Sequence, residues 1–229
     1  MGDAMNADRT VLADGEPCTA TLLMVSYDAA RLDAWLARAA EYPAGATFNM
    51  LAVHRLKDPP SHNGVSFPPG CVKFLRTHVA DGQKTSERTL CSGGYREAWH
   101  YITEHRSLEW CDSVVLISDE SVPVGEGWLR RMVERPGLTT YGDKLHPVAL
   151  SAAMGDWVKV AAVAGDANPV PLNWGSGGAA EGERGAFAEL RKRFHRAALK
   201  VEHVDAAEIE SNGCYAQMRD GLLYEAVER

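Results

Sequence analysis

The sequence is poor in the features that would give a quick functional assignment. Its five cysteines, Cys18, Cys71, Cys91, Cys111 and Cys214, are scattered and odd in number. No CxxC pair occurs, which argues against a zinc knuckle or a dithiol redox centre and predicts that most of them are small buried apolar residues. No run approaches the ~20 apolar residues of a membrane span. The stretch 1–17 carries acidic residues and no apolar core, so it does not read as a secretory leader. These absences predict a cytoplasmic protein with no membrane partner. Positive charge is also scarce. Lys and Arg number 24 against 31 Asp and Glu, a net charge of -7, and a broad nucleic-acid-binding surface is not expected. The cluster Arg191, Lys192, Arg193, Arg196 and Lys200 is either a local patch or the wet side of a helix. There is no GxGxxG after the first expected strand and no GxxxxGK[ST] anywhere, which argues against a dinucleotide site and a P-loop. HExxH and GxSxG are missing as well.

What is present is an α/β pattern. With 229 residues, 45% hydrophobic and 24% charged, the chain is long enough for one large domain with a sizeable core. Residues 1–18 read as a loose tail and 19–229 as a single domain. Ala20–Ser26 is an apolar run expected to form a buried strand. Residues 29–41 follow, with Leu32, Trp35, Leu36, Ala39 and Ala40 at helical spacing, and Asp28 is placed to cap that helix. Thr47–His54 gives the next strand, so the opening is a parallel strand–helix–strand unit. Residues 55–70 read as a loop and Cys71–Thr77 as a third strand. A helix is expected from about Gly94, with Tyr95, Trp99 and Ile102 on one side. A strand at 113–118 and a helix at 127–134 come next. Pro147–Met154 and Val158–Val163 are expected as strands that could pair with each other, and 165–182 as a Gly/Pro-rich loop. Glu183–Leu199 is a helix that buries Phe187, Leu190, Phe194 and Ala198. Val201–Val204 is short and extended, and 214–227 suggests a hairpin around Arg219–Asp220–Gly221. The fold class that results is α/β with a mostly parallel central sheet and mixed carboxy-terminal strands.

The stretch 108–135 carries most of the functional argument. The apolar run Val114–Ile117 leads into Ser118–Asp119–Glu120–Ser121, and acidic residues just past a buried strand sit where open α/β sheets bind ligands. Adjacent carboxylates suit a hard divalent cation such as Mg²⁺ or Mn²⁺, which would neutralise a diphosphate leaving group. The plainer reading makes Asp119 a turn cap and Glu120 a solvated side chain. Tyr27 and Asp28 end the first strand and would line the same edge. Gly93–Gly94, beside Arg96, brings a backbone close either to a neighbouring element or to a sugar or phosphate. Trp174, in a pliable Gly-rich loop ahead of a helix, is a candidate for stacking on a sugar or base in a mobile lid. His203 is a minor candidate metal ligand.

This order of features resembles the family-2 glycosyltransferases and their relatives of the GT-A fold, a Rossmann-related architecture. The resemblance runs from about residue 19 to 199. It rests on Val25–Ser26–Tyr27–Asp28 before an amphipathic helix, on Ser92–Gly93–Gly94–Tyr95–Arg96, on Val115–Leu116–Ile117–Ser118–Asp119–Glu120, on Val122–Pro123 followed by Gly127–Trp128–Leu129, and on Gly177–Gly178 ahead of a helix containing Phe187. It implies a nucleotide-sugar donor, a divalent cation (Mn²⁺ or Mg²⁺) and transfer of the sugar to a hydroxyl acceptor of unknown identity. By the same resemblance Asp28 would lie near the base or ribose. Asp119 would contact metal or diphosphate, with Glu120 or Ser121 in the third position of the acidic motif.

The chain departs from that pattern. The usual Asp-x-Asp is Ser118–Asp119–Glu120 or Asp119–Glu120–Ser121, one carboxylate short in either alignment. The acidic cluster expected after the second strand is replaced by His54–Arg55–Leu56–Lys57–Asp58. A general base must reach the acceptor hydroxyl directly or through one water. Asp143, Asp156, Asp166 and Glu181 are loop candidates for it, with Asp166 and Glu181 ranked first. Two other readings compete: a catalytically inactive binding or structural protein of the same fold, and a nucleotidyltransferase. The latter would be expected to have a glycine-rich basic loop after the first strand, which is missing.

Overall fold

The computed structural model describes residues 9–11, 19–26, 29–54, 67–78, 86–105, 110–119, 121–123, 125–142, 147–171, 179–205, 215–219 and 222–223. In chain order the strands are β1 (Arg9–Val11), β2 (Ala20–Ser26), β3 (Phe48–His54), β4 (Cys71–His78), β5 (Ser113–Ser118), β6 (Ser121–Pro123), β7 (Leu138–Gly142), β8 (Pro147–Ala153), β9 (Val201–Asp205), β10 (Tyr215–Arg219) and β11 (Leu222–Leu223). The helices are α1 (Ala29–Glu41), α2 (Ser86–His105), α3 (Trp128–Val133), α4 (Met154–Ala164) and α5 (Ala179–Arg196).

Eight strands form one sheet in the order β1-β4-β3-β2-β5-β8-β7-β9. β4, β3, β2 and β5 are parallel, as are β7 and β9, while β8 runs antiparallel to both its neighbours. The protein is thus α/β with a mostly parallel, mixed sheet. The central strands are buried on both faces: every residue of β2 and of β5 is buried, which is why their sequences read as unbroken apolar runs.

Helices cover both faces. Against one lie α1 and α3, through Leu32, Trp35, Leu36, Trp128 and Met132. Trp35 and Trp128 meet edge to face with centroids 5.8 Å apart, an arrangement favoured by the ring quadrupoles. Against the other face lie α2, α4 and α5, through Tyr95, Trp99, Trp157, Leu190 and Phe194. There Trp157 contacts Phe194 at 5.3 Å and Trp99 contacts Trp110 at 4.4 Å. With α1 on one face and α2 on the other, the sheet is wound outward from β2 in both directions.

Several sequence expectations need correction. Arg9–Val11, in the expected loose tail, forms β1 and pairs antiparallel with β4. Residues 158–163, expected as a strand, belong to α4, because Trp157 and Val160, one turn apart, are its buried residues. Gly165, at φ 63°, ends this helix in the left-handed conformation that glycine adopts without strain. The strand β7 is an addition to the sequence reading. α2 starts at Ser86, so Gly93–Gly94 lies within the helix and not at its head. α5 stops at Arg196, leaving Ala198 exposed and not on the buried side. The expected hairpin is present, with Arg219 opposite Leu222. Cys71 is free and buried as expected, and burial pushes its thiol up to about 12. Cys111 is buried as well, and it is disulfide-bonded.

Candidate functional site

In an open α/β sheet the ligand crevice lies beyond the carboxyl ends of the strands, where the winding changes direction. Here β2 leads outward through β3 to β4, and the chain then returns to place β5 on the other side of β2. The switch therefore falls between the ends of β2 and β5. Those ends are Ser26 and Ser118–Asp119.

The register brings them together. Val25 pairs with Ser118, and the Asp119 backbone N–H donates to the Val25 carbonyl at 3.3 Å. One step further, Ser26 Oγ donates to Asp119 Oδ2 at 3.0 Å. Alternation along the strands places both side chains toward the α1–α3 face. Ser26 and Asp119 are each 0% exposed. A buried carboxylate persists only where donors or cations meet it, and the Ser26 hydroxyl is one such donor. Two residues on, β6 begins, and it pairs not with the main sheet but with β10, Ser121 opposite Gln217 and Pro123 opposite Tyr215. The strand after the acidic motif is thus joined to a segment from far along the chain.

Of the other candidates expected to share this edge, Tyr27, Asp28 and Glu120 lie outside the described residues, as does Trp174. Gly94 is at this level of the sheet, but its role is steric: a Cβ there would stand 2.5 Å from Val25 Cγ2. Glycine is what lets α2 pack onto the end of β2. Gly93 is buried in the same helix turn.

Arg96 and Asp166 occupy each other. Arg96 Nη1 donates to Asp166 Oδ2 at 2.8 Å and Nη2 to Oδ1 at 3.2 Å, the bidentate fork that suits a guanidinium. The same Nη1 donates to the Val170 carbonyl at 2.8 Å. Asn168 Nδ2 donates to the Arg96 carbonyl at 2.7 Å, and Arg193 donates to the Pro169 carbonyl at 3.1 Å. These bonds pin the segment after α4 onto α2 and α5. The Arg96 hydrogen bond holds the Asp166 carboxyl below its usual range, the wrong direction for a general base working near neutral pH. Arg96 and Asp166, expected to serve donor and acceptor separately, form a structural clamp.

His203 is not brought to Asp119. It sits on β9, three strands from β5 in the sheet order, or roughly 14 Å at the usual strand spacing. It is opposite Thr140 in register, and its Nδ1 lies 2.9 Å from Thr140 Oγ1. Glu181, expected in a loop, falls in the first turn of α5, with its side chain outside the described residues. Asp156 lies in α4 beside Lys159. Among the described residues no three His, Cys, Asp or Glu side chains come together as metal ligands, and no helix is long and apolar enough to cross a membrane.

Ser26 is the site residue that sequence reasoning missed. Its signal was available, a hydroxyl closing an otherwise apolar strand next to the acidic one, but its meaning depends on β2 and β5 being neighbours. A shallow depression of about 580 Å³, lined by Thr19, Pro43, Gly45, Thr47 and Gly70 among others, lies at the opposite edge of the sheet. Among the described residues, none that lines it has an ionisable side chain.

The sequence matches no family model and no curated protein.

Proposed function

We propose that this protein is a glycosyltransferase of the GT-A type, taking a nucleoside-diphosphate sugar as donor and a hydroxyl compound as acceptor, with Mn²⁺ or Mg²⁺ at the end of β5. The observation that carries the reading is the position of Asp119: a carboxylate at the switch point of a doubly wound sheet, bonded across to the end of β2. The order of elements around it agrees with the resemblance in the sequence, from the strand ending in Ser26 to the close-packed glycine of α2 and the Trp128 helix. In this reading Asp119, with Glu120 beside it in sequence, holds the cation that takes up charge on the departing diphosphate. Tyr27 and Asp28 flank the nucleoside. Asp166 is left to its clamp with Arg96, so the base that deprotonates the acceptor is sought elsewhere.

A second reading has its own support. Asp119 is fully buried and already accepts a bond from Ser26, which suits a tether in a binding or structural protein of the same fold.

Calorimetric titration of UDP, GDP and their sugars, with and without Mn²⁺, separates the two. The variant to compare is Asp119→Asn, which keeps an acceptor for Ser26 and removes the charge. Metal-dependent binding by the wild type, weakened at least tenfold in the variant, is expected. Metal-independent binding that the variant leaves unchanged would refute the cation site. No binding by the folded protein would favour the scaffold.

A further inference from the structure

We infer that the outward side of α4 is where two copies of this chain meet, the two helices crossing antiparallel about a twofold axis beside Val158. α4 is apolar almost all round. Trp157 and Val160 are its buried residues, and Trp157 packs between Trp99 and Phe194. The other side carries Val158 and Val163, 53% and 49% exposed, which are the exposed large hydrophobic residues among the described ones. Gly155 and Ala162 are exposed there too, and Asp156 and Lys159 are the only charged residues of the helix. A surface helix ordinarily turns a charged face to water, as α5 does with Lys192, His195 and Arg196. Apolar surface gathered on one element marks an interaction site, whereas singly scattered residues do not.

Helical periodicity fixes the layout of this side. Gly155 and Ala162, seven residues apart, fall on its outermost line, with Val158 on one flank and Lys159 and Val163 on the other. Nothing lies within 4 Å of a Cβ placed on Gly155, so a second backbone can come close along that line.

The charges single out a second copy as the occupant. Asp156 and Lys159 pair within the helix at 3.3 Å, and the Lys159 side chain is 63% exposed. A twofold axis between antiparallel helices sets each flank against the same flank of the other copy. With the axis beside Val158, Gly155 stands opposite Ala162 of the second copy and Val158 meets its own counterpart. Each Lys159 then lies roughly 3 Å along the helix from Asp156 of the second copy, within reach of its four-carbon stem. The surface is thus self-complementary, with one cation and one anion supplied by each copy. A purely acidic or purely basic partner would set one of the two charges against its like. At 1.5 Å per residue α4 is roughly 16 Å long, so the crossing falls short of the ~800 Å² per partner of a stable interface. The expected dimer is weak and concentration-dependent. α4 covers the face of the sheet away from α1 and α3, so this pairing leaves Asp119 and the candidate site clear.

Sedimentation equilibrium of the full chain from about 10 µM to 1 mM tests the inference. The weight-average mass is expected to rise toward twice that of the chain. Val158→Glu should raise the dimer dissociation constant by about tenfold or more, and Lys159→Glu, which sets like charge against Asp156 of the second copy, by about threefold or more. Ala37→Glu, at an exposed position of α1, adds the same charge as Val158→Glu and should change nothing. All three positions are exposed, so the variants are expected to fold. A chain that stays monomeric at about 1 mM, or a dimer that Val158→Glu leaves as tight as before, would overturn the inference. Weakening by Val158→Glu but not by Lys159→Glu would overturn the antiparallel arrangement. A monomer that co-sediments with phosphatidylcholine–phosphatidylserine vesicles, and loses this with Val158→Glu, would assign the face to a lipid surface and overturn the dimer.

Discussion

Replacing Gly94 by alanine tests whether that glycine serves packing or a ligand. The added methyl would stand 2.5 Å from Val25 Cγ2, 2.8 Å from Cγ1 and 3.2 Å from Cβ, where carbon atoms prefer about 3.5–4.0 Å. Val25 cannot swing away. Its χ1 is stiff, it is 0% exposed, and it is held between Val53 and Ser118 of the neighbouring strands. The helix itself must move, and overpacking of this sort costs about 1–3 kcal/mol. Two methyls closer than 3 Å put Gly94→Ala near the upper end. Alanine's better helix propensity offsets about 1 kcal/mol, so the net loss is about 2 kcal/mol, or ~4–8 °C in the midpoint. Gly155→Ala is the matched control: nothing lies within 4 Å of the added methyl, and the same substitution is expected to stabilise by about 0.5–1 kcal/mol. Urea unfolding at constant m reads both. Adding Val25→Ala to Gly94→Ala should cost less than the two single changes together, because the clash is shared. If Gly94→Ala is as stable as the wild type and instead weakens nucleotide binding, the packing argument is wrong.

Two further substitutions follow from the geometry. Ala198 ends α5 at φ 58°, with the Leu199 N–H bonded to the Phe194 carbonyl at 2.9 Å; Ala198→Gly removes left-handed strain and should stabilise by about 0.5–1 kcal/mol in urea unfolding. Arg96→Met removes the fork to Asp166 and the bond to Val170, and should cost about 1–2 kcal/mol near neutral pH. Because Arg96 lowers the Asp166 pKa, the pair's stabilisation is present above the unfolded carboxyl's value of about 3.9 and is lost as pH falls through the lower folded value. The gap between wild type and Arg96→Met should hold from pH 8 to 5 and narrow below about pH 4; a gap that persists unchanged into acid would refute the ion pair's share.

The central half of the fold was legible because burial and periodicity agree there. β2, α1 and β5 have the bounds their sequences suggest, since apolar runs buried on both faces and a Leu32–Trp35–Leu36–Ala39 stripe leave little choice. Misreadings came where tertiary contacts decide. Residues 158–163 are rich in valine and suit a strand locally, yet Trp157 and Val160 pack as a helix against α2 and α5. Arg9–Val11 is too short to announce itself and exists by pairing with the edge of β4. At the site, Asp119 was visible as an acid after a buried strand. Its bond to Ser26 was not, because it joins side chains far apart in sequence through a strand order that no local pattern states. The Arg96–Asp166 clamp was hidden for the same reason.

The pairing of β6 with β10 also bears on how the protein is made. β6 begins two residues after Asp119, but the strand that completes its hydrogen bonding comes roughly ninety residues later, a contact of the slow-forming, long-loop kind. During synthesis the sheet from β2 to β5 emerges well before that partner. Asp119 and Ser26 can then meet while the strand beside them still has an open edge. The candidate site is therefore expected to be the part of the nascent chain that stays longest in need of protection from aggregation.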